Sequence, residues 1–291
     1  MDLRSLLPSL IFLLALLSLP APGAAKDSVT WMEASMPPYF IKDGVNQGKG
    51  YGDEITRIIQ ANLPEYTHEH ITTNITRHFY KFKQGEKVCS AGLYRTPERE
   101  EFMYFSIPSF LTLPAVIIVK KENLAAFDHR TSVPLDQILR NQRLMIGLSK
   151  DRSFGTTIDA ILNRYKGHKN IVEISGSELS DNLFKMLMIG RLDGLIGLPE
   201  EELYLAEQMG IRDQLVTVII EENQQGYEGW YSSVGCSKNG WGKKIIADIN
   251  RILLAQRPTK PYRTAYERWL DPNSTQNYRK IYREVFLKTT P

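Results

Sequence analysis

The residues best equipped to hold a small anion stand between Cys89 and Phe110, CSAGLYRTPEREEFMYFSIPSF. Cys89-Ser90-Ala91-Gly92-Leu93 is small and weakly polar, so a backbone or a guest molecule can come close there. Tyr94, Arg95 and Thr96 follow at the tip of that segment. Thr96 suits an N-cap, Pro97 the first helical position, and Glu98 the positive end of a helix. Arg99 lies one turn in. Hydroxyls, free N–H groups and a guanidinium would converge here, and their natural guest is a carboxylate. The same residues also fit a capped surface helix with Arg99 in an exposed ion pair.

A second cradle of this kind follows the apolar segment Leu144–Leu148. Ser149-Lys150-Asp151-Arg152-Ser153-Phe154-Gly155 is a polar turn that opens a helix over Thr156–Tyr165. Ser149, Ser153 and Arg152 are its candidate contacts, and a capping turn without a ligand is the alternative. His68-x-His70 would share one strand face, the spacing of a two-histidine metal site, but no third ligand is evident. Glu33 or Glu200 alone could serve as an acid/base, but neither a nucleophile–base pair nor a metal set is visible.

The elements that must position these residues alternate along the chain. Val29–Glu33 reads as a strand, and Met36-Pro37-Pro38-Tyr39-Phe40 as a stiff extended loop, because two prolines remove donors. Tyr51-Gly52-Asp53-Glu54 opens a helix, with Ile55, Ile58, Ile59 and Leu63 at helical spacing and Pro64 ending it. Thr67–Thr73 alternates as a strand, and Ile75–Gln84 is helical. Pro114–Lys121 is an apolar, β-branched strand, and Ile171–Ile174 another. Ser175-x-x-Glu178 has the form of a capping box for a helix reaching Gly190. Helix is expected over Leu203–Met209, strand over Gln214–Ile220, a turn at Asn239-Gly240 and a helix over Ile245–Ala255. Tyr262–Leu270 and Tyr278–Phe286 read as terminal helices. This alternation predicts an α/β fold with parallel-rich sheets.

Composition narrows the class. Met1–Ala25 carries Arg4, an apolar run over Leu6–Leu19 and small residues ahead of Lys26, the pattern of a secretory signal cleaved after Ala25. Pro20 and Pro22 interrupt the run, which is short for a membrane span. Net charge is +3, with both signs interspersed and no basic tract, which disfavours nucleic acid as a partner. The remaining length accommodates two lobes with separate cores. Two cysteines, Cys89 and Cys236, permit one disulfide or two buried thiols in an exported chain.

Thr96-x-x-Arg99 followed by Phe105-Ser106-x-Pro108 resembles the signature of the bacterial extracellular solute-binding proteins of family 3. Pro37-Pro38-Tyr39, Gly50-Tyr51-Gly52-Asp53 and Gly190-Arg191-Leu192-Asp193 are similar to further motifs of that family, in the same order. The resemblance implies a type II periplasmic-binding-protein fold, with two α/β lobes joined by two crossing segments. It places one lobe at 26–112 and 231–291 and the other at 113–230, with crossings near Leu111–Leu113 and Glu228–Tyr231. It implies that Arg99 holds a ligand carboxylate with Thr96 and Tyr94 beside it, and that Tyr39 covers the ligand. Ser149, Arg152 and Ser153 would approach from the second lobe, Glu33 would offer a polar contact, and Trp230 would stand at the second crossing. Cys89 and Cys236 would share a lobe near the cleft edge, which implies a disulfide. Family members that bind amino acids carry an Asp for the ammonium at the place of Leu198, and Glu200 is the neighbouring substitute. No cofactor is implied. The partners implied are a small solute and an inner-membrane ABC permease, or alternatively a sensory receptor, with a monomeric chain in the periplasm. A small-acid dehydratase on the same fold is the enzymatic alternative.

Overall fold

The computed structural model describes residues 26–175 and 179–290; the signal-like segment 1–25 and Glu178 of the expected capping box lie outside the described residues. In chain order the strands are β1 (Ser28–Glu33), β2 (Thr67–Thr72), β3 (Val88–Leu93), β4 (Met103–Leu111), β5 (Val116–Lys120), β6 (Ser132–Val133), β7 (Ile146–Ser149), β8 (Ile171–Ile174), β9 (Gly194–Gly197), β10 (Leu215–Ile220) and β11 (Tyr231–Ser237). They form two sheets, ordered β2-β1-β3-β11-β4 and β6-β10-β5-β9-β7-β8. The helices are α1 (Tyr51–Ala61), α2 (Ile75–Lys83), α3 (Pro97–Glu100), α4 (Leu135–Arg140), α5 (Thr156–Arg164), α6 (Leu179–Met188), α7 (Pro199–Gln208), α8 (Gly240–Gln256), α9 (Lys260–Glu267) and α10 (Pro272–Glu284).

The sheets are mixed. β1 runs parallel to β2 and β3, and β7 parallel to β8 and β9. The strands that follow a crossing run the other way: β11 is antiparallel to β3 and β4, and β5 to β9 and β10. β6 is also parallel to β10, so among the described strands every antiparallel pair involves β5 or β11, and these two depart from the expected parallel pairing. Strand-and-helix alternation in the sequence carries no sign of a strand that enters from the other lobe.

Burial explains the strand sequences. In β5, Ile117 and Val119 pack into one core while Val116 and Ile118 pack into another on the opposite face. A strand covered on both sides has no polar positions to alternate, hence its unbroken VIIV run. The first sheet is covered by α1, α8 and the C-terminal helices, which bury Ile55, Ile245, Ile249, Tyr262, Tyr266, Tyr278 and Phe286 against Trp31, Phe110 and Val234. Each such side chain contributes about 1.5–3 kcal/mol on burial.

Helix starts explain the boundary differences. Asn239 accepts from the Gly242 N–H at 2.8 Å, so α8 begins at Gly240 where a turn was expected. Pro199 sits in the first turn of α7, so that helix starts ahead of Leu203. Trp31 donates to His68 Nδ1 at 3.1 Å, and His70 faces Glu33, so the two histidines serve packing and polar pairing.

Cys89 and Cys236 are opposite one another in the β3–β11 pair, fully buried, and joined by a disulfide that spans 147 residues of sequence. Cross-linking so long a loop restricts the unfolded chain. Replacing both cysteines with alanine should lower unfolding free energy by about 2–5 kcal/mol in urea titrations under oxidising conditions. Equal midpoints for the two forms would mean that the strand pairing alone supplies this stability.

Candidate functional site

Arg99 is the centre of the site. The short helix α3 begins because Thr96 accepts from the Arg99 N–H at 3.3 Å and Pro97 follows it. This turns the Arg99 side chain inward, where it is 8% exposed. Its guanidinium donates to the Tyr94 carbonyl at 2.8 Å and to the Asp151 carbonyl at 3.3 Å. Its face rests over the Phe79 ring, 4.5 Å from the centroid. Burial lowers its pKa to about 10, which leaves it cationic at neutral pH. Tyr94 belongs with the first sheet and Asp151 with the second, so one side chain bonds to both lobes.

Around Arg99 lies a cavity of about 80 Å³. Tyr39, Tyr94 and Phe79 form aromatic walls, and Ser90, Thr112 and Ser232 add hydroxyls. Arg152, Ser153 and Leu198 close it from the second lobe. The Pro37–Pro38 loop sets Tyr39 so that its hydroxyl donates to the Ala91 carbonyl, and its ring meets Tyr51 at 5.0 Å. Gly92 makes this possible. Its φ is +71°, and a Cβ there would stand 1.9 Å from the Tyr39 hydroxyl oxygen.

The remaining expected residues are placed differently. Thr96 and Ser149 line an outer, more polar cavity that shares Arg99, Arg152 and Ser153 with the inner one. Ser153 donates to Asp159 and accepts from the Gly155 N–H at 3.2 Å. Arg152 forms two parallel hydrogen bonds with Glu201, at 3.0 and 2.7 Å, so its charge is paired. Glu33 does not line the inner cavity; its carboxylate is held by Lys42 and by His70 Nδ1 at 2.7 Å. Trp230 also lies off the cavity wall. Its carbonyl accepts from the Thr112 N–H at 2.9 Å, tying the two crossing segments together.

Glu200 is displaced most from its expected role. It is fully buried, and accepts from the hydroxyls of Tyr51 and Tyr266, each at 3.0 Å. Tyr266 in turn accepts from the Leu113 N–H at 2.8 Å. Glu200 thus joins the start of α7 to the α1 and α9 helices across the lobes, and is not a wall of the cavity. Burial, and next the adjacent Glu201, push its pKa up to about 7.

Sequence reading did not single out His78, Phe79, Ser90, Thr112 or Ser232 as site residues. His78 Nε2 donates to the Glu33 carbonyl at 3.0 Å, and burial holds its pKa below the usual value. Phe79 had a visible signal, an aromatic three residues from Phe82 on one helix, but both would equally serve a core. The hydroxyl residues sit in unremarkable strand sequence and carry no local signal.

The family's sequence model matches residues 29–272, and the chain belongs to the bacterial extracellular solute-binding proteins, family 3. Among solved structures, a histidine kinase sensor domain with similarity to periplasmic binding proteins aligns at TM-score 0.63 and 17% identity, covering 86% of this chain and 98% of its own. An ancestral arginine-binding protein bound to glutamine aligns at TM-score 0.64 and 19% identity, covering 84% and 98%. A structure from a study of glutathione import by GshT and the cystine ABC importer of Streptococcus mutans aligns at 0.64 and 15%, covering 84% and 94%. These identify the type II periplasmic-binding-protein fold of two lobes. No curated protein sequence matches the chain. Among the described residues no helix is long and apolar enough to cross a membrane.

The Glu200 contact has a pH signature. An acid with a raised native pKa binds its proton more tightly when folded, so that stability is present below about pH 4.5 and is lost as pH rises through about 7. Wild type should therefore lose on the order of 3 kcal/mol relative to Glu200→Gln between those limits, read by urea unfolding at several pH values. Parallel stability profiles for the two proteins would show that this carboxyl does not titrate in that window.

Proposed function

We propose that the chain binds a small carboxylate-bearing solute, an amino acid or a related organic acid, between its lobes and delivers it to an ABC importer. The observation that carries this reading is Arg99, a buried guanidinium beside an aromatic cavity, whose hydrogen bonds go to backbone carbonyls and not to a carboxylate. A ligand carboxylate would replace weak neutral acceptors with a charge-assisted, two-point contact. Tyr39 would cover the body of the solute, with Tyr94 beside its anionic end. Thr96 would act through the turn that aims Arg99. Ser149, Ser153 and Arg152 would bring in the lobe formed by residues 113–230, while 26–112 and 231–291 form the other.

A ligand touching both lobes favours the closed state by the contacts it makes only there. Hinge closure is the general motion of periplasmic binding proteins, and the paired crossings at Thr112 and Trp230 suit it. Export by a signal cleaved after Ala25 and a monomeric, periplasmic protein complete this reading. No catalytic role is proposed, a reading supported by membership of a solute-binding family.

A sensory role is the second reading, favoured by the equally good match to a histidine kinase sensor domain. A permease encoded beside this chain would support delivery, and a kinase would support sensing.

Arg99→Ala should weaken calorimetric binding of the tightest acid found in a thermal-shift panel by about 1.5–3 kcal/mol. Undiminished affinity in that variant would remove Arg99 from the ligand contact.

A further inference from the structure

The inner cavity presents cations and no anions. Among its described lining residues are Arg99 and Arg152 but no Asp or Glu. Carboxylates are close by in sequence, since Leu198 lines the cavity and is followed by Pro199-Glu200-Glu201-Glu202. The first two of these carboxylates are committed elsewhere, Glu200 to Tyr51 and Tyr266 and Glu201 to Arg152. Glu202, at the same buried start of α7, is not a cavity residue either. Asp159, the acid that most favours the charged form of Arg99, accepts from Ser153 and from the Phe154 N–H at 2.8 Å, and lines the outer cavity only.

An ammonium group entering this cavity would lose its water and find no carboxylate. The Phe79 face is not free for that ammonium, because Arg99 already rests over it. It would also stand near a guanidinium of like charge. A buried charge left unpaired is strongly disfavoured, whereas an apolar group in the same place is not. The other walls suit an apolar body, since Tyr39, Phe40, Met36 and Leu198 line the cavity too.

We infer that this site selects organic acids that lack an amino group: a monocarboxylate on Arg99 with an apolar or aromatic body against Tyr39 and Leu198. The inference rests on the proposed carboxylate-binding reading and narrows its ligand class.

Matched pairs test it. Calorimetry of the full mature chain at neutral pH would compare 3-methylbutanoate with L-valine, and 3-phenylpropionate with L-phenylalanine. In each pair that binds, the amine-free acid should be tighter by about tenfold to a hundredfold. Equal or tighter binding of the amino acid would overturn the amine-free selectivity while leaving carboxylate binding intact. Binding of neither member in both pairs would overturn this ligand class, and Arg99→Ala with the panel-derived acid then decides separately whether the carboxylate reading survives. Leu198→Asp, which supplies the missing acid, should narrow or reverse the preference. If that variant does not fold, the wild-type ratio alone decides.

Discussion

A guanidinium taken out of water must be surrounded by acceptors, and Arg99 finds its acceptors on two different lobes. This constraint organises the seam. The Thr96 cap directs the side chain inward, Phe79 supports it from below, and Asp151 receives it from the far side. Asp151 is itself fixed in a left-handed turn, with φ of +63°, and accepts from Thr76 at 2.5 Å. The position of the positive charge therefore depends on both lobes being in register.

Elsewhere along the seam, charge is neutralised internally. Arg152 meets Glu201 in a two-point pair, and Glu200 is held by two phenols. The Glu200 contacts bind one lobe to the other, and the Arg152–Glu201 pair lies within the second lobe. They leave Arg99 as the cation in the inner cavity without a carboxylate partner among the described residues.

Much of this was readable from local pattern. Thr96-Pro97-Glu98-Arg99 declared its helix start because capping is a matter of consecutive residues. Pro37-Pro38 declared a loop, but the segment closes as a turn on the Met36–Phe40 bridge where an extended run was expected, and that turn sets Tyr39 on the cavity wall. What the sequence could not show was which partner a charged residue takes at long range. Glu200 looks like a free carboxylate beside a binding segment, yet its partners stand 149 and 66 residues away. Glu33 likewise reads as a possible ligand contact until His70 and Lys42 surround it. Residue type gives the chemistry of a side chain, but only the folded chain tells whether that chemistry is already used.

The place of β11 in the first sheet carries a consequence for how the molecule is made. It fills the slot between β3 and β4, although the whole second sheet intervenes in sequence. While the polypeptide emerges from the ribosome, the edges of β3 and β4 have no neighbour to saturate them until residue 237 is available. The contiguous lobe faces no such wait, and its pairings close shorter loops. The half of the protein that begins the chain is accordingly the half that matures last, with bare strand edges that sticky encounters can exploit in the meantime.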